Sequence, residues 1–141
     1  MLDRSPHVGS KPLAGIRILV VDDNADCLGA LRVLLQFNGA DVQTVTSADE
    51  ARAALAQSRP HVLISDLNMP GEDGFSLLAS VRLLATDRGG DTPALAFSAL
   101  SPFDAESRAR AVGFQAFLRK PGDVLLIIPT VVRLLPPALA P

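Results

Sequence analysis

The sequence of 141 residues contains one cysteine, no tryptophan, no tyrosine and only six phenylalanines. A single cysteine cannot form an internal disulfide, so a disulfide-stabilised scaffold is excluded and a reducing, cytoplasmic location is expected. Lysine and arginine number 13 against 15 aspartate and glutamate, a formal net charge of −2. The chain therefore lacks the excess positive charge that binding to nucleic acid or to an anionic membrane requires, and we expect neither as a partner.

Long apolar runs are also lacking. The most apolar stretch, 124–135, is shorter than the roughly 20 residues that span a bilayer, and the first residues lack the apolar core of a signal peptide. With 48% hydrophobic and 20% charged residues, the composition is that of a globular domain that can build its own core. We expect one domain over 15–135, with a tail or linker over 1–14 and a proline-rich tail over 136–141.

Five short apolar runs alternate with segments whose apolar residues recur at helical spacing. Leu28, Leu31 and Leu35 follow the first run at this spacing, and Ser47 with Glu50 has the pattern of a capping box at the start of the second helix. Five strand–helix repeats predict an α/β fold, a doubly wound parallel sheet with helices on both faces. The runs interpreted as strands are residues 16–21, 42–45, 61–65, 94–97 and 115–118.

Polar side chains follow four of the five predicted strands. Asp22 and Asp23 end the first run, Asp66 the third, Ser98 the fourth and Lys120 the fifth. Because ligands of open α/β sheets bind beyond the carboxyl ends of the strands, these groups should meet at one edge. For any single acid a solvated loop charge is the simpler interpretation, but that interpretation is poor for all five residues together.

Three carboxylates held together raise one another's pKa, and a divalent cation and the ammonium group of Lys120 would relieve this repulsion. A site made only of oxygen ligands, with one or two direct carboxylates, suits Mg²⁺ better than zinc. A carboxylate beside Mg²⁺, a lysine and a hydroxyl is a natural acceptor for a phosphoryl group, because the cations neutralise the phosphoryl oxygens.

Four segments, in this order and at this spacing, resemble the receiver domain of the response-regulator family, related to the chemotaxis regulators, over about residues 15–135. The resemblance implies a flavodoxin-like (βα)5 sandwich with a five-stranded parallel sheet in the order 2-1-3-4-5. It also implies a cytoplasmic phosphorelay in which a sensor histidine kinase or phosphotransfer protein phosphorylates Asp66. The segments that carry the match are Val20–Asn24, Ser65–Gly71, Phe97–Ala99 and Lys120–Pro121.

The same resemblance implies a set of metal ligands. Asp23, Asp66 and the backbone carbonyl of Asn68 would ligate Mg²⁺, and Asp22 would act through a bound water. Leu100 occupies a position that flanks the phosphorylated side chain in the family, so we expect this bulky residue to hinder the hydrolytic water and lengthen the life of the phosphorylated state.

The resemblance further assigns the switch. Lys120 would pair with the phosphoryl group, Ser98 would donate a hydrogen bond to it, and Phe117 would occupy the aromatic switch position. The Lys120–Pro121 peptide bond would be cis, as is common in the family. Phosphorylation would then change the surface of the fourth helix, the fifth strand and the fifth helix, which would bind partners.

The predicted fifth helix is apolar on all sides, with Arg133 as its only charge. Surface helices normally have a polar face, so we expect a partner surface here and a possible homodimer through the fifth helix. Pro129 should kink or restart the helix. The alternative is a loose terminal helix covered in part by the proline-rich tail.

Other function classes remain open. We expect a phosphoacceptor that promotes its own phosphorylation rather than an enzyme with a separate substrate. The chain could also be the receiver segment of a larger hybrid histidine kinase, a pseudo-receiver that is never phosphorylated, or a small aspartyl phosphatase. Against the last, the haloacid-dehalogenase pattern needs two aspartates separated by one residue, whereas Asp22 and Asp23 are adjacent.

Overall fold

A computed structural model describes residues 11–141, in which five strands and five α-helices alternate. Short 3-10 turns precede the fourth strand and the fifth helix, over Thr86–Arg88 and Val124–Leu126. The strands are β1 (Arg17–Val21), β2 (Asp41–Val45), β3 (Val62–Ser65), β4 (Ala94–Ser98) and β5 (Ala116–Arg119). The helices are α1 (Ala25–Phe37), α2 (Ala48–Ser58), α3 (Gly74–Arg82), α4 (Pro102–Val112) and α5 (Ile127–Leu134).

All five strands are parallel and lie in the order β2-β1-β3-β4-β5, so the predicted doubly wound topology is confirmed. The register places Val21 opposite Ser65 on the neighbouring strand, and Ser98 opposite Arg119. The carboxyl ends of β1, β3, β4 and β5 therefore lie along one edge of the sheet. The residues that follow these strands are brought to that edge.

The core consists of two apolar layers, one on each face of the sheet. α1 and α5 cover one face, and α2, α3 and α4 cover the other. β3 and β4 are buried at every position, which explains their nearly continuous apolar runs. We call the layer beneath α1 and α5 the first core layer and the layer beneath α2, α3 and α4 the second core layer.

Side-chain caps fix the start of three helices. Asn24 accepts a hydrogen bond from the backbone N–H of Cys27 at the start of α1, and Asp73 plays the same part for α3. At α2 the Ser47 hydroxyl accepts from the Glu50 N–H at 3.2 Å, as the capping box predicts. The Glu50 carboxylate returns to the N–H of Thr46, one residue before the position that the simple pattern implies.

The predicted N-terminal tail is shorter than 1–14. Leu13 is fully buried in the first core layer, and its N–H donates to the carbonyl oxygen of Asn38 at 2.9 Å. Residues 11–14 therefore pack as part of the domain, because the end of α1 leaves an apolar space that Leu13 fills. The remainder of the predicted tail, 1–10, lies outside the described residues.

The fifth helical segment has two parts. A 3-10 turn over Val124–Leu126 precedes α5, which begins at Ile127. Pro129 lies in the first turn of α5, where its missing N–H leaves no intrahelical bond unmade, so it starts the helix rather than kinking it. Asp123 does not cap the segment with its side chain, which instead accepts from the Arg119 N–H at 2.9 Å.

One side of α5 is buried against the sheet, so its apolar residues do not all face the solvent. Thr130 and Val131 face the sheet and are buried, so the apolar sequence mainly serves the first core layer. The apolar side chains left exposed lie in the preceding turn, where Leu125 is 82% and Leu126 49% exposed. Among residues 11–141, no helix combines the length and the apolar character needed to cross a membrane.

Candidate functional site

Three carboxylates meet at the carboxyl edge of the sheet. Asp22 and Asp23 follow β1, and Asp66 follows β3. One oxygen of each carboxylate lies within 4.8 Å of the others. The Asp66 N–H donates to the carbonyl oxygen of Val21 at 2.9 Å, which extends the ladder between β1 and β3 by one residue. Adjacent parallel strands thus bring together acids that are far apart in the sequence.

Lys120 supplies the positive charge at this edge. Its Nζ lies 2.6 Å from Oδ2 of Asp22 and 3.4 Å from Oδ2 of Asp66. Burial lowers the pKa of Lys120, but the hydrogen bond to Asp22 and the negative charges of Asp66 and Asp22 outweigh burial, so the pKa lies above its usual value. The ammonium group therefore stays protonated between the two acids. The Lys120–Pro121 peptide bond is cis, as the resemblance predicts.

Asp66 is 7% exposed, and each of its oxygens has a defined neighbour. Oδ1 accepts from the backbone N–H groups of Leu67, at 2.8 Å, and Asn68, at 3.4 Å, while Oδ2 faces Lys120. Burial raises the pKa of Asp66, and the charge of Asp22 adds to this effect. The ammonium of Lys120 and the two N–H groups oppose it, but the pKa remains above its usual value.

Asp22 and Asp23 differ in accessibility. Asp22 is 2% exposed; its Oδ2 binds Lys120 and its Oδ1 accepts from the N–H of Asn24 at 2.9 Å. Asp23 is exposed to solvent. Asp22 therefore anchors the lysine and Asp23 can offer its oxygens to an incoming ligand.

The chemistry of these donors fits a hard divalent cation. Every donor in the cluster is a carboxylate oxygen, the ligand type that Mg²⁺ prefers and zinc does not. Three carboxylates face the single ammonium of Lys120, which leaves negative charge that a cation would neutralise. Asn68, whose carbonyl the resemblance implies as a further ligand, lies exposed in the loop after Asp66.

Ser98 and Phe117 lie on the two strands beside this cluster. Ser98 ends β4 and is fully buried; its Oγ accepts from the N–H of Leu100 at 3.2 Å. Its carbonyl oxygen accepts from the N–H of Lys120 at 2.9 Å, which ties the two site segments together. Phe117 lies opposite Ala96 and packs, half-buried, against the second core layer.

Gly74 has a positional role that the sequence reasoning missed. It begins α3, and a Cβ placed there would lie 2.1 Å from the carbonyl oxygen of Asp66. The N–H of Gly74 donates to the carbonyl oxygen of Leu67 at 3.0 Å. Only glycine lets the helix start pack this closely behind Asp66. A glycine at the position where the third helix begins, shortly after Asp66, is the signal that could have indicated this contact.

Cys27 lies near the cluster, half-buried in α1. Burial, together with the neighbouring Asp22 carboxylate, raises the pKa of its thiol to about 11. The residue therefore stays protonated and packs against the first core layer. Cys27 is therefore a small packing residue rather than a reactive thiolate.

Two curated proteins are similar to this chain in sequence. A 14.6 kDa protein from the sodA1 3′ region of Leptolyngbya boryana is 40% identical over 116 residues, which cover 82% of this chain and 87% of that protein. The virulence sensor protein BvgS of Bordetella pertussis is 40% identical over 118 residues, which cover 79% of this chain and 9% of BvgS. The chain thus spans most of the first relative and a small part of the second.

Solved structures show the same fold. The chemotaxis protein CheY4 of Vibrio cholerae superposes with a TM-score of 0.78 at 30% identity, over 87% of this chain and 99% of that one. The signal receiver domain of a histidine kinase from Syntrophus aciditrophicus gives a TM-score of 0.76 at 27% identity, over 85% and 89% of the two chains. The model of the response regulator receiver domain family matches residues 18–131. The chain therefore belongs to the response-regulator receiver domains of two-component signalling.

Proposed function

We propose that this receiver accepts a phosphoryl group from a phosphohistidine onto Asp66 and thereby switches a partner-binding surface in the cytoplasm. The observation that carries the proposal is the placement of the Asp66 carboxylate beside Lys120, with Asp22 and Asp23 within reach of a shared cation. The chain acts as a phosphoacceptor that promotes its own phosphorylation, not as an enzyme with a separate substrate. Neither nucleic acid nor a membrane is part of the proposal.

The transfer step needs a nucleophile, an acceptor for developing charge and a leaving group. A carboxylate oxygen of Asp66 attacks the phosphorus; the new O–P bond forms as the P–N bond breaks, and its electron pair returns to the imidazole nitrogen of the donor. Lys120 stabilises the transferred phosphoryl oxygens, and Asp22 holds Lys120 in place. The positive charge of Lys120 also opposes the rise in the Asp66 pKa that burial causes, which favours the ionised nucleophile.

The residues present would hold Mg²⁺ through Asp23, Asp66 and the backbone carbonyl of Asn68, with Asp22 acting through a water. When bound there, Mg²⁺ supplies charge neutralisation for the phosphoryl oxygens and for the carboxylates. The exposure of Asp23 and the engagement of both Asp22 oxygens support this division of roles.

The contacts of Ser98 support the proposed switch. Its Oγ accepts from the N–H of Leu100, and Leu100 and Phe117 both pack against the second core layer. A phosphoryl group on Asp66 adds about two negative charges and strong acceptor oxygens. The Ser98 hydroxyl turns toward these oxygens, the loop at Leu100 moves with it, and Phe117 repacks into the space released. The change then reaches the surface formed by α4, β5 and α5.

The phosphoryl donor is a sensor histidine kinase or a phosphotransfer protein. A receiver segment within a larger hybrid histidine kinase is the second candidate. The resemblance to a short part of a virulence sensor protein and to the receiver domain of a histidine kinase favours that context, whereas the 14.6 kDa relative favours a small protein. The proposal also includes a homodimer contact at the exposed Leu125 and Leu126, before α5.

The decisive experiment combines a phosphoryl mimic with a phosphotransfer assay. Beryllofluoride with Mg²⁺ should shift the backbone amide resonances of Asp66, Ser98 and Phe117 in the nuclear magnetic resonance spectrum. A radiolabelled phosphorylated kinase or phosphotransfer protein should label the wild type. Asp66→Asn, which keeps the shape and removes the charge, should show neither effect.

Two outcomes would contradict the proposal. Absence of any beryllofluoride response in the folded protein would favour a pseudo-receiver that never takes phosphate. Steady turnover of a generic phosphate ester, lost in Asp66→Asn, would favour a small aspartyl phosphatase.

A further inference from the structure

A cleft of about 500 Å³ lies between α2 and α3, on the face of the sheet opposite to α1 and α5. Its floor is apolar, formed by the buried side chains of Leu55 and Val81. Ala56 and Ser80 line its walls, and Leu84 extends its apolar surface beyond the end of α3. None of the residues that line the cleft belongs to the carboxylate site.

Three guanidinium groups surround this apolar floor, from Arg52, Arg59 and Arg88. Arg52 is already neutralised: its Nη1 lies 2.9 Å from Oε1 of Glu72, and its Nε donates to Oγ of Ser80 at 3.0 Å. The side chains of Arg52 and Glu72 are both about one-third exposed. At this end of the cleft, the charge of Arg52 is therefore balanced by that of Glu72.

The other end carries positive charge. Arg59, just after α2, donates to the carbonyl oxygen of Asp87, next to Arg88. Within residues 11–141, the ion pairs of the structure include neither Arg59 nor Arg88. Two guanidinium groups without a carboxylate partner in that range thus lie at one end of an apolar cleft.

We propose that the cleft binds a small organic anion with an apolar body. The apolar part, an acyl chain or an aromatic ring, lies on Leu84, which is 41% exposed, above the buried side chains of Leu55 and Val81. A carboxylate or phosphate group lies at Arg59 and Arg88, whose planar donors match either anion. A volume of about 500 Å³ is within the range of small-molecule sites, which combine apolar walls with a few polar groups that fix orientation. The site is separate from phosphorylation at Asp66.

Decanoate tests the proposal, with decanol as its neutral counterpart. In a nuclear magnetic resonance titration, decanoate should shift the amide resonances of Ala56, Ser80 and Leu84 in a saturable manner. Decanol should bind at least about tenfold more weakly, because it makes no charge-assisted hydrogen bond to the guanidinium groups.

Paired variants separate the roles of charge and shape. Arg59 has a φ of 46°, a region that asparagine tolerates, so Arg59→Asn removes the guanidinium without new backbone strain. Arg59→Asn with Arg88→Gln should weaken decanoate binding at least about tenfold. Arg32→Gln with Arg133→Gln, which removes the same charge from α1 and α5, should leave binding unchanged.

Ala56→Phe tests whether decanoate binds in the cleft itself, because the phenylalanine ring would fill the cleft while both arginines remain. Decanoate binding should then be lost in a protein whose remaining amide spectrum is native. The proposal is overturned if decanoate leaves the cleft resonances unmoved, if decanol binds as tightly, or if the two arginine pairs weaken binding equally. Shifts confined to another apolar patch would also overturn it.

Discussion

At the scale of single residues, the three acids of the site have unequal surroundings. Asp22 and Asp66 are buried and share Lys120, whereas Asp23 is exposed and lies near both. One ammonium cannot neutralise three carboxylates, so part of the repulsion among them persists in the folded protein. Residual repulsion of this kind lowers stability, as is common in functional sites.

Asp23→Asn should therefore stabilise the protein when no divalent cation is bound. The substitution keeps the side-chain shape and removes one negative charge within 4.8 Å of two others, an effect of about 1 kcal/mol because solvent screens the exposed Asp23. Urea unfolding in the presence of EDTA should show the increase in the free energy of unfolding.

Saturating magnesium chloride should reverse the order of the two proteins, because the wild type binds the cation more tightly and gains more from it. Asp26→Asn, on the exposed first turn of α1, serves as the charge-matched control. Equal stabilisation by magnesium of the wild type and Asp23→Asn would contradict a role for Asp23 in binding the cation.

Leu100 is the second residue whose effect can be measured alone. Leu100 is half-buried, and its N–H donates to Ser98 Oγ. This hydrogen bond holds Leu100 in the segment that lies beside the site. Leu100→Glu should speed loss of the phosphoryl group by about tenfold, below the roughly hundredfold of a fully positioned general base. The phosphorylated state should be followed after the donor is removed.

Leu100→Gln separates charge from bulk in that experiment, because glutamine has nearly the shape of glutamate without its charge. A rate that is unchanged or slower in Leu100→Glu would contradict the hypothesis that this leucine hinders the hydrolytic water.

At the scale of elements, the strands were predictable and several connections were not. Strands buried on both faces appear as apolar runs, so β1 and β3 were located within one residue. The packing of Leu13 beneath α1 and the close approach of Gly74 to Asp66 depend on contacts between distant segments. The apolar character of α5 was recognised, but which side faces the sheet follows only from packing.

Arg82 joins three segments that lie outside the strands. From the end of α3 its guanidinium donates to the carbonyl oxygens of Gly90 at 2.9 Å, Thr92 at 2.7 Å and Gly113 at 2.8 Å. It therefore ties α3 to the segment before β4 and to the turn after α4. Burial lowers the pKa of Arg82 below its usual value, and its bonds to backbone carbonyls hold it in place.

Arg82→Met should destabilise the protein by about 2–4 kcal/mol, because the carbonyl groups lose a charged donor and are partly buried. Arg110→Met is the control: Arg110 is exposed and also binds a carbonyl oxygen in this region, that of Gln115. Its loss should have an effect of about 1 kcal/mol or less. Equal free energies of unfolding for the two variants, measured in urea, would contradict the anchoring role of Arg82.

At the scale of the whole molecule, the carboxylate site, the cleft and the exposed leucines lie in three separate parts of the fold. The carboxylate site lies at the edge of the sheet, the arginine-lined cleft lies over the second core layer, and Leu125 with Leu126 precedes the helix that covers the first. The sequence indicated the site because parallel strands align their ends. The cleft could not be inferred, because it depends on how α2 and α3 pack against each other.

Leu125→Glu with Leu126→Glu should convert a self-associating protein into a monomer. In a two-fold dimer the interface contains both leucines from each protomer, so the double substitution removes four buried apolar side chains. It should therefore raise the dissociation constant by at least about a hundredfold. Leu83→Glu with Leu139→Glu introduces the same charge at leucines exposed elsewhere and should leave association unchanged. Sedimentation equilibrium over a range of concentrations measures both effects. If the wild type is monomeric throughout, or the two pairs behave alike, the exposed leucines do not form a homodimer interface, and the apolar sequence of α5 is explained by the first core layer alone.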